Sequence, residues 1–182
     1  MTHDVNLGIG LATGMAFHAP AGTALPTYPG ETLATAWQEI GAVSEDGISY
    51  GMNHSMTPLR NWAKVIERLM AADGDATIKA PFMDTTQETL ETLFGAENVV
   101  TTAATQDHGD LISITIGPDT MPDAEAFLFL MKDGDDMIMI GSSRATVTAV
   151  DDITFAPNNA IIWNATISSK DWTIVKDNGQ TT

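Results

Sequence analysis

The sequence predicts a mainly β fold, a sandwich or barrel of short strands with one flanking α-helix at about residues 85–95. Three observations predict it. Short apolar runs rich in Val, Ile and Thr recur along the second half of the chain. Turn-forming clusters punctuate them: Ser44-Glu45-Asp46-Gly47, Asp107-His108-Gly109-Asp110 and Asp133-Gly134-Asp135-Asp136. One amphipathic stretch carries both helix-start and helix-stop signals. A length of 182 residues suits a single domain. Residues 1–13 read as an N-terminal arm, 14–170 as the β domain and 171–182 as a C-terminal arm, the arms being small and polar around few large apolar residues.

Met15-Ala16-Phe17-His18-Ala19 reads as a short strand. The following Pro20-Ala21-Gly22-Thr23 and Pro26-Thr27-Tyr28-Pro29-Gly30 are too rich in Pro and Gly for regular structure. Residues 32–38 fit either a turn of helix or a strand lead-in. Ser44-Glu45-Asp46-Gly47 is a turn between Ile40/Val43 and the alternating Ile48-Ser49-Tyr50-Gly51-Met52. Val65, Ile66, Leu69 and Met70 have helical spacing, yet Ala72-Asp73-Gly74-Asp75 before residues 76–81 has hairpin chemistry, so strand–turn–strand is expected here. Thr85 is the expected helix N-cap, with Glu88 completing a capping box. Leu90, Leu93 and Phe94 fall on one face, and Gly95 supplies the left-handed end. A helix this short must be held by packing on a sheet. Strands are then expected at residues 99–105, 111–116, 124–132, 137–140, 145–153 and 160–167.

Composition narrows the function. There is no cysteine, so disulfides and thiolate metal sites are excluded. The formal charge is −16, and no Lys or Arg precedes Arg60. Such a surface repels phosphates, which argues against a conventional nucleic-acid binder. A solvated, solubilising surface or adaptation to a salty medium explains the charge as well. The longest apolar runs, residues 112–116 and 127–131, are far too short to span a bilayer. Met1-Thr2-His3-Asp4 lacks the basic and apolar regions of a signal peptide, so a soluble chain made in the cytoplasm is expected.

Chemical motifs are weak. Gly8-Ile9-Gly10-Leu11-Ala12-Thr13-Gly14 nearly matches a dinucleotide fingerprint, but no strand precedes it and no βαβ unit follows, so it reads as a flexible arm. Asp135 and Asp136, on a Gly-Asp-Asp turn, are candidate divalent-ion ligands; a polar hairpin turn is the simpler reading. His3, His18, His54 and His108 show no metal-site spacing, and no Gly-x-Ser-x-Gly elbow occurs. His18 reads as a hydrogen-bonded structural histidine. Trp163, in an apolar run, reads as core; Trp62, between Arg60 and Lys64, reads equally as an interface residue.

The segment Trp37-Gln38-Glu39-Ile40-Gly41-Ala42-Val43-Ser44-Glu45-Asp46-Gly47-Ile48, then Leu59-Arg60-Asn61-Trp62, then Thr85-Thr86-Gln87-Glu88-Thr89-Leu90-Glu91-Thr92-Leu93-Phe94-Gly95 resembles the major tail tube proteins of long-tailed phages in order and spacing. The resemblance covers about residues 14–100. Residues 65–70 depart from it, carrying fewer alternating Thr and Val than the family's hairpin. The resemblance implies a sandwich of the phage tail tube type, hexameric rings stacked into a tube, strands lent to a shared inner barrel and an arm reaching the adjacent ring. Six subunits giving roughly four strands each make a barrel about 40–50 Å across. It implies no catalytic residues, no cofactor and no metal. The implied partners are further copies of the chain, other tail proteins such as tape measure, terminator and distal tail proteins, and viral DNA passing through the lumen without specific binding. The implied location is the virion tail, after synthesis in the host cytoplasm. Trp37, Glu45, Asp46, Arg60, Trp62, Lys64 and Arg68 are the expected lumen or inter-subunit residues. A tail terminator, a decoration protein, a contractile-tail tube, or an enzyme using Asp135 and Asp136 are the rival readings.

Overall fold

The unbroken apolar run Ala126-Phe127-Leu128-Phe129-Leu130-Met131 has no polar face to offer solvent, so its strand must be covered on both sides. The computed structural model describes residues 16–117, 120–157 and 160–179. Its elements are β1 (Ala16–Pro20), β2 (Gln38–Gly41), β3 (Ser49–Arg60), β4 (Ile66–Phe82), α1 (Gln87–Phe94), a 3₁₀ turn (Ala96–Asn98), β5 (Val99–Thr102), β6 (Leu111–Ile114), β7 (Glu125–Asp133), β8 (Asp136–Val150), β9 (Trp163–Ser169) and β10 (Thr173–Asp177). The expected mainly β fold with one flanking helix is what forms. The expected N-terminal arm and its glycine motif lie outside the described residues.

One antiparallel sheet runs β2-β1-β7-β8-β9-β4-β3, with β10 added beside β8. It folds over along β8. The first half of β8 pairs with β7 and with β10, while residues 146–150 pair with β9. At the fold, Ser143 and Arg144 together oppose the single residue Ala126, a bulge that bends and twists the strand. Layer A is therefore β2-β1-β7-β8-β10 and layer B is β8-β9-β4-β3. A Cβ on Gly141, just before the bulge, would lie 2.8 Å from Leu25 Cδ2 and 3.1 Å from the Phe127 carbonyl, so only bare backbone fits there.

Alternation along β7 then divides its side chains. Phe127, Phe129 and Met131 enter the main core with Ile78 and Phe82 of β4, Ile167 of β9, and Leu90 and Leu93 of α1. Ala126, Leu128 and Leu130 pack instead with Trp37 and Met139, sealed by Leu25 and Leu33 of the connection between β1 and β2. Both faces of layer A are thus covered by the chain itself. Residues 32–38 prove to be a lead-in to β2, with Trp37 N donating to the Ala34 carbonyl (3.0 Å). Trp163 is buried as expected and meets Phe94 edge-on at 5.6 Å.

Four expectations are corrected. The N-cap is Thr86, not Thr85: Thr86 Oγ1 accepts from Thr89 N at 3.2 Å. Thr85 Oγ1 accepts instead from Trp163 Nε1 (3.1 Å), and Thr89 Oγ1 donates to the Ile40 carbonyl, tying the helix to β2. Gly95 takes positive φ (86°), but its ψ of 136° lies outside the left-handed helical region. The turn expected at residues 72–75 is absent; β4 continues through it, and residues 72 and 73 face the single residue 55 across a bulge. The strands expected at 137–140 and 145–153 are one strand, β8, because the bulge at Ser143 and Arg144 bends it without breaking it.

Beyond β9, Trp172 closes the end of the core: its Nε1 donates to the Ala76 carbonyl at 3.0 Å and its ring lies 6.4 Å from Phe129. Trp172→Phe keeps the ring and removes the bond. It is expected to cost about 1 kcal/mol, read as a lower urea midpoint with an unchanged m-value.

Candidate interaction surface

The β3–β4 hairpin outruns the sheet that supports it. β9 pairs with β4 only at residues 76–82, so residues 66–75 have β3 as their one neighbour among the described strands. At ~3.3 Å per residue the free ribbon is roughly 30 Å long. An isolated two-stranded ribbon is marginal in water, and this one carries apolar side chains on both faces. Residues opposite one another share a face, which puts Ile66 with Arg60 on one side, and Met70 with Thr57 on the other. Met52, Met56, Leu59, Ile66 and Met70 are 48–60% exposed.

The tip is built by one asparagine. Asn61 Oδ1 accepts from the backbone N–H groups of Ala63 and Val65, both at 3.0 Å, while its Nδ2 donates to Glu67. The main chain closes through Asn61 N to the Val65 carbonyl and Lys64 N to the Asn61 carbonyl, both 2.9 Å. Arg60 Nη1 donates to the Lys64 carbonyl (3.0 Å). Lys64 has φ 63°, a left-handed conformation that costs a side-chain-bearing residue roughly 1 kcal/mol and that glycine adopts freely. Trp62, at the apex, is 104% exposed.

Of the residues singled out in the sequence, Arg60, Trp62, Lys64 and Arg68 come together on this tip. Among the described residues none of the three cations forms an ion pair, although the chain has 24 carboxylates. Glu45 and Asp46 lie in the exposed turn before β3, at its opposite end. That turn closes as expected, with Gly47 N donating to the Ser44 carbonyl (2.9 Å). Trp37 is elsewhere, only 8% exposed inside the second core cluster. The apolar ribbon residues were missed as site residues. The signal available was a strand pair whose Met and Ile positions leave neither face wholly polar.

Other candidate chemistry resolves into local structure. Asp136 pairs with Lys176 at 3.5 Å across β8 and β10. His18 Nδ1 lies 2.9 Å from Glu125 Oε2 and 3.3 Å from Thr92 Oγ1, a structural tie between β1, β7 and α1. Among the described residues no group of three or more His, Asp or Glu side chains is placed to hold a metal, and no helix is long and apolar enough to cross a membrane.

The family model described as phage tail tube protein matches residues 1–170. No curated protein matches the sequence. Among solved structures, the chain is similar to a subunit in the tail of an empty GTA particle with C6 symmetry, at 9% identity over 88% of this chain and 94% of that one, with a TM-score of 0.45. It is also similar to the tube-terminating cap of an anti-feeding prophage, at 10% identity over 96% and 97%, with a TM-score of 0.47. A chain in the virion of a native gene transfer agent covers 79% of this chain and 92% of its own length at 10% identity, with a TM-score of 0.41.

The ribbon's lack of packing sets two expectations for the isolated subunit. Amides of residues 53–60 and 66–75 should exchange with deuterium far faster than those of β7. Trp62→Ala should leave stability within about 0.5 kcal/mol of the parent by urea denaturation, since the ring touches nothing in its own chain.

Proposed function

The chain belongs to the phage tail tube protein family and is a structural protein of a phage tail, and from that premise we propose that it is the major tail tube subunit, polymerising into stacked hexameric rings that conduct viral DNA. The observation that carries the reading is the free ribbon. Apolar side chains on both faces and a cationic, tryptophan-bearing tip stay exposed among the described residues. A second copy would bury them. A head-to-tail contact between identical subunits closes into a ring when its rotation closes, and stacked rings extend as a filament.

Charge supports the same assignment. A subunit of net charge −16 repels its copies, so association needs local complementarity. Arg60, Lys64 and Arg68 provide it, placed against acidic side chains of the adjacent ring, with the Glu45–Asp46 turn on a ring interface. Retaining lysine at a left-handed position where glycine is easier fits a need for its charge. Trp62 is the expected anchor of this contact. The further partners on this reading are tape measure, terminator and distal tail proteins, and DNA that passes without being bound. The arm expected at residues 1–13 would add contacts between neighbours; the C-terminal arm expected at 171–182 is instead held by its own chain as far as Asp177, through Trp172 and β10.

Electron microscopy of the purified chain tests the proposal. Long hollow tubes are expected; single rings, or monomers at every concentration and salt, would count for a terminator or decoration protein instead. In the same assay Arg60→Glu should shorten or abolish tubes while leaving the subunit folded. Tubes of parental length and yield from that variant would remove the tip cations from the interface.

A further inference from the structure

Resting on the tube reading, we infer that the thioethers of Met52, Met56 and Met70 form a modification site: a hydroperoxide converts them to sulfoxides on the free subunit, and the oxidised ribbon no longer enters an assembly. The chain has no cysteine, so a two-electron oxidant finds sulfur only in its 10 methionines. Which of them it reaches is decided by exposure.

The fold sorts its methionines sharply. Met131 and Met139 are buried, one in each core cluster. Met52, Met56 and Met70 are 60%, 58% and 50% exposed, the first at the root of the ribbon and the others along it. At the bulge the extra residue lies on β4, so β3 keeps its alternation and Met52 and Met56 share one face. Met70, opposite Thr57, lies on the other. Both faces that an adjoining copy would cover therefore carry thioethers. Methionine is unbranched and polarizable, which suits a surface that lies in water in one state and packs in another.

The chemistry is an oxygen transfer. A sulfur lone pair attacks the terminal oxygen of the hydroperoxide, and an S–O bond forms as the O–O bond breaks. Sulfur gives up two electrons, the peroxide is reduced, and the proton of the transferred oxygen passes to the leaving oxygen, which departs as water or an alcohol. The product carries a strong dipole and an acceptor oxygen. On the free subunit that oxygen is solvated, so the fold persists. In an interface built for a thioether it loses its water without gaining a donor, which opposes association. Order then matters: oxidation before assembly keeps subunits apart, while thioethers already packed between copies are shielded.

Dilute hydrogen peroxide, applied to free subunits and to preformed tubes, tests this by peptide mass spectrometry and electron microscopy. In free subunits Met52, Met56 and Met70 should gain oxygen at a rate similar to Met121, which is 64% exposed and off the ribbon, while Met131 and Met139 stay reduced. In tubes the three ribbon sites should slow at least about tenfold. Oxidised subunits should keep their circular dichroism yet need at least about tenfold more protein to form tubes. The combined variant Met52→Leu, Met56→Leu and Met70→Leu keeps apolar volume and should assemble both before and after peroxide, although Met121 still oxidises. Ribbon sites that oxidise equally fast in tubes and in subunits overturn the inference. So does an oxidised parent that assembles at the parental concentration, or a leucine variant that peroxide disables as fully as the parent. Should the leucine variant not assemble even untreated, the shielding measured on parental tubes decides alone. If the untreated parent forms no tubes, the tube proposal itself fails, and that result is read before any peroxide is added.

Discussion

Both faces of β7 are buried by its own chain, and that double burial decides what is left for neighbours. Phe127 and Phe129 take the core between the layers, while Leu128 and Leu130 take the cover formed with Trp37 and Leu25. Layer A is then closed to partners except at its rims. Among the described residues, what stays open is the outer face of layer B, the edges of β3 and β8, and the ribbon beyond β9. These three surfaces differ in chemistry, one polar, one made of backbone groups, one apolar with cations at its end.

Electrostatics constrains the assembly from a different direction. With 24 acidic and 8 basic residues, subunits repel at long range. At physiological ionic strength charges are screened beyond about 8 Å, so this repulsion is mild between well-solvated surfaces and matters where they touch. Three of the basic residues lie within the nine positions from Arg60 to Arg68, on and beside the turn between β3 and β4. Among the described residues these three cations form no ion pair, despite so acidic a chain. Lys176, held to Asp136 between β8 and β10, shows the contrasting internal use.

Much of this is legible in the sequence, and the failures have physical causes. The helix is readable because its signals are local: Leu90, Leu93 and Phe94 at helical spacing, a threonine cap and a closing glycine. Which of two adjacent threonines caps it is not local, since Thr85 is engaged by Trp163 from a distant strand. The β3–β4 turn is hidden because it has no glycine; Asn61 closes it with side-chain bonds and Lys64 bears the left-handed strain. Ala72-Asp73-Gly74-Asp75 misleads because a bulge and a turn favour similar residues, and only the partner strand distinguishes them. Gly141-Ser142-Ser143-Arg144 misleads in the same way, looking like a break where β8 bends between layers. Arg60, Trp62, Lys64 and Arg68 stand out by type, and the ribbon gathers them. Trp37 stands out equally, yet nothing in Ala36-Trp37-Gln38 announces that its ring will pack on Leu128 and Leu130 of β7. The open polar face of layer B is invisible to composition, since its Ser and Thr residues become one surface only when register is known.

The energetics of the ribbon favour an assembly that starts reluctantly and grows readily. Its Met, Leu and Ile side chains are about half exposed already, so covering each yields roughly 1 kcal/mol, half of what full burial gives. Trp62, with its ring wholly in solvent, yields more. Together these gains are of order 5–10 kcal/mol, similar to the roughly 4–15 kcal/mol lost when two free bodies become one. A single ribbon contact between two subunits is therefore marginal. On the tube reading, a subunit arriving at a formed ring would meet several contacts at once and lose its freedom only once. The same sum that leaves a pair of free subunits mostly apart makes addition to an existing ring favourable. On the tube reading, the purified chain would therefore begin to assemble only above a threshold concentration and then lengthen readily.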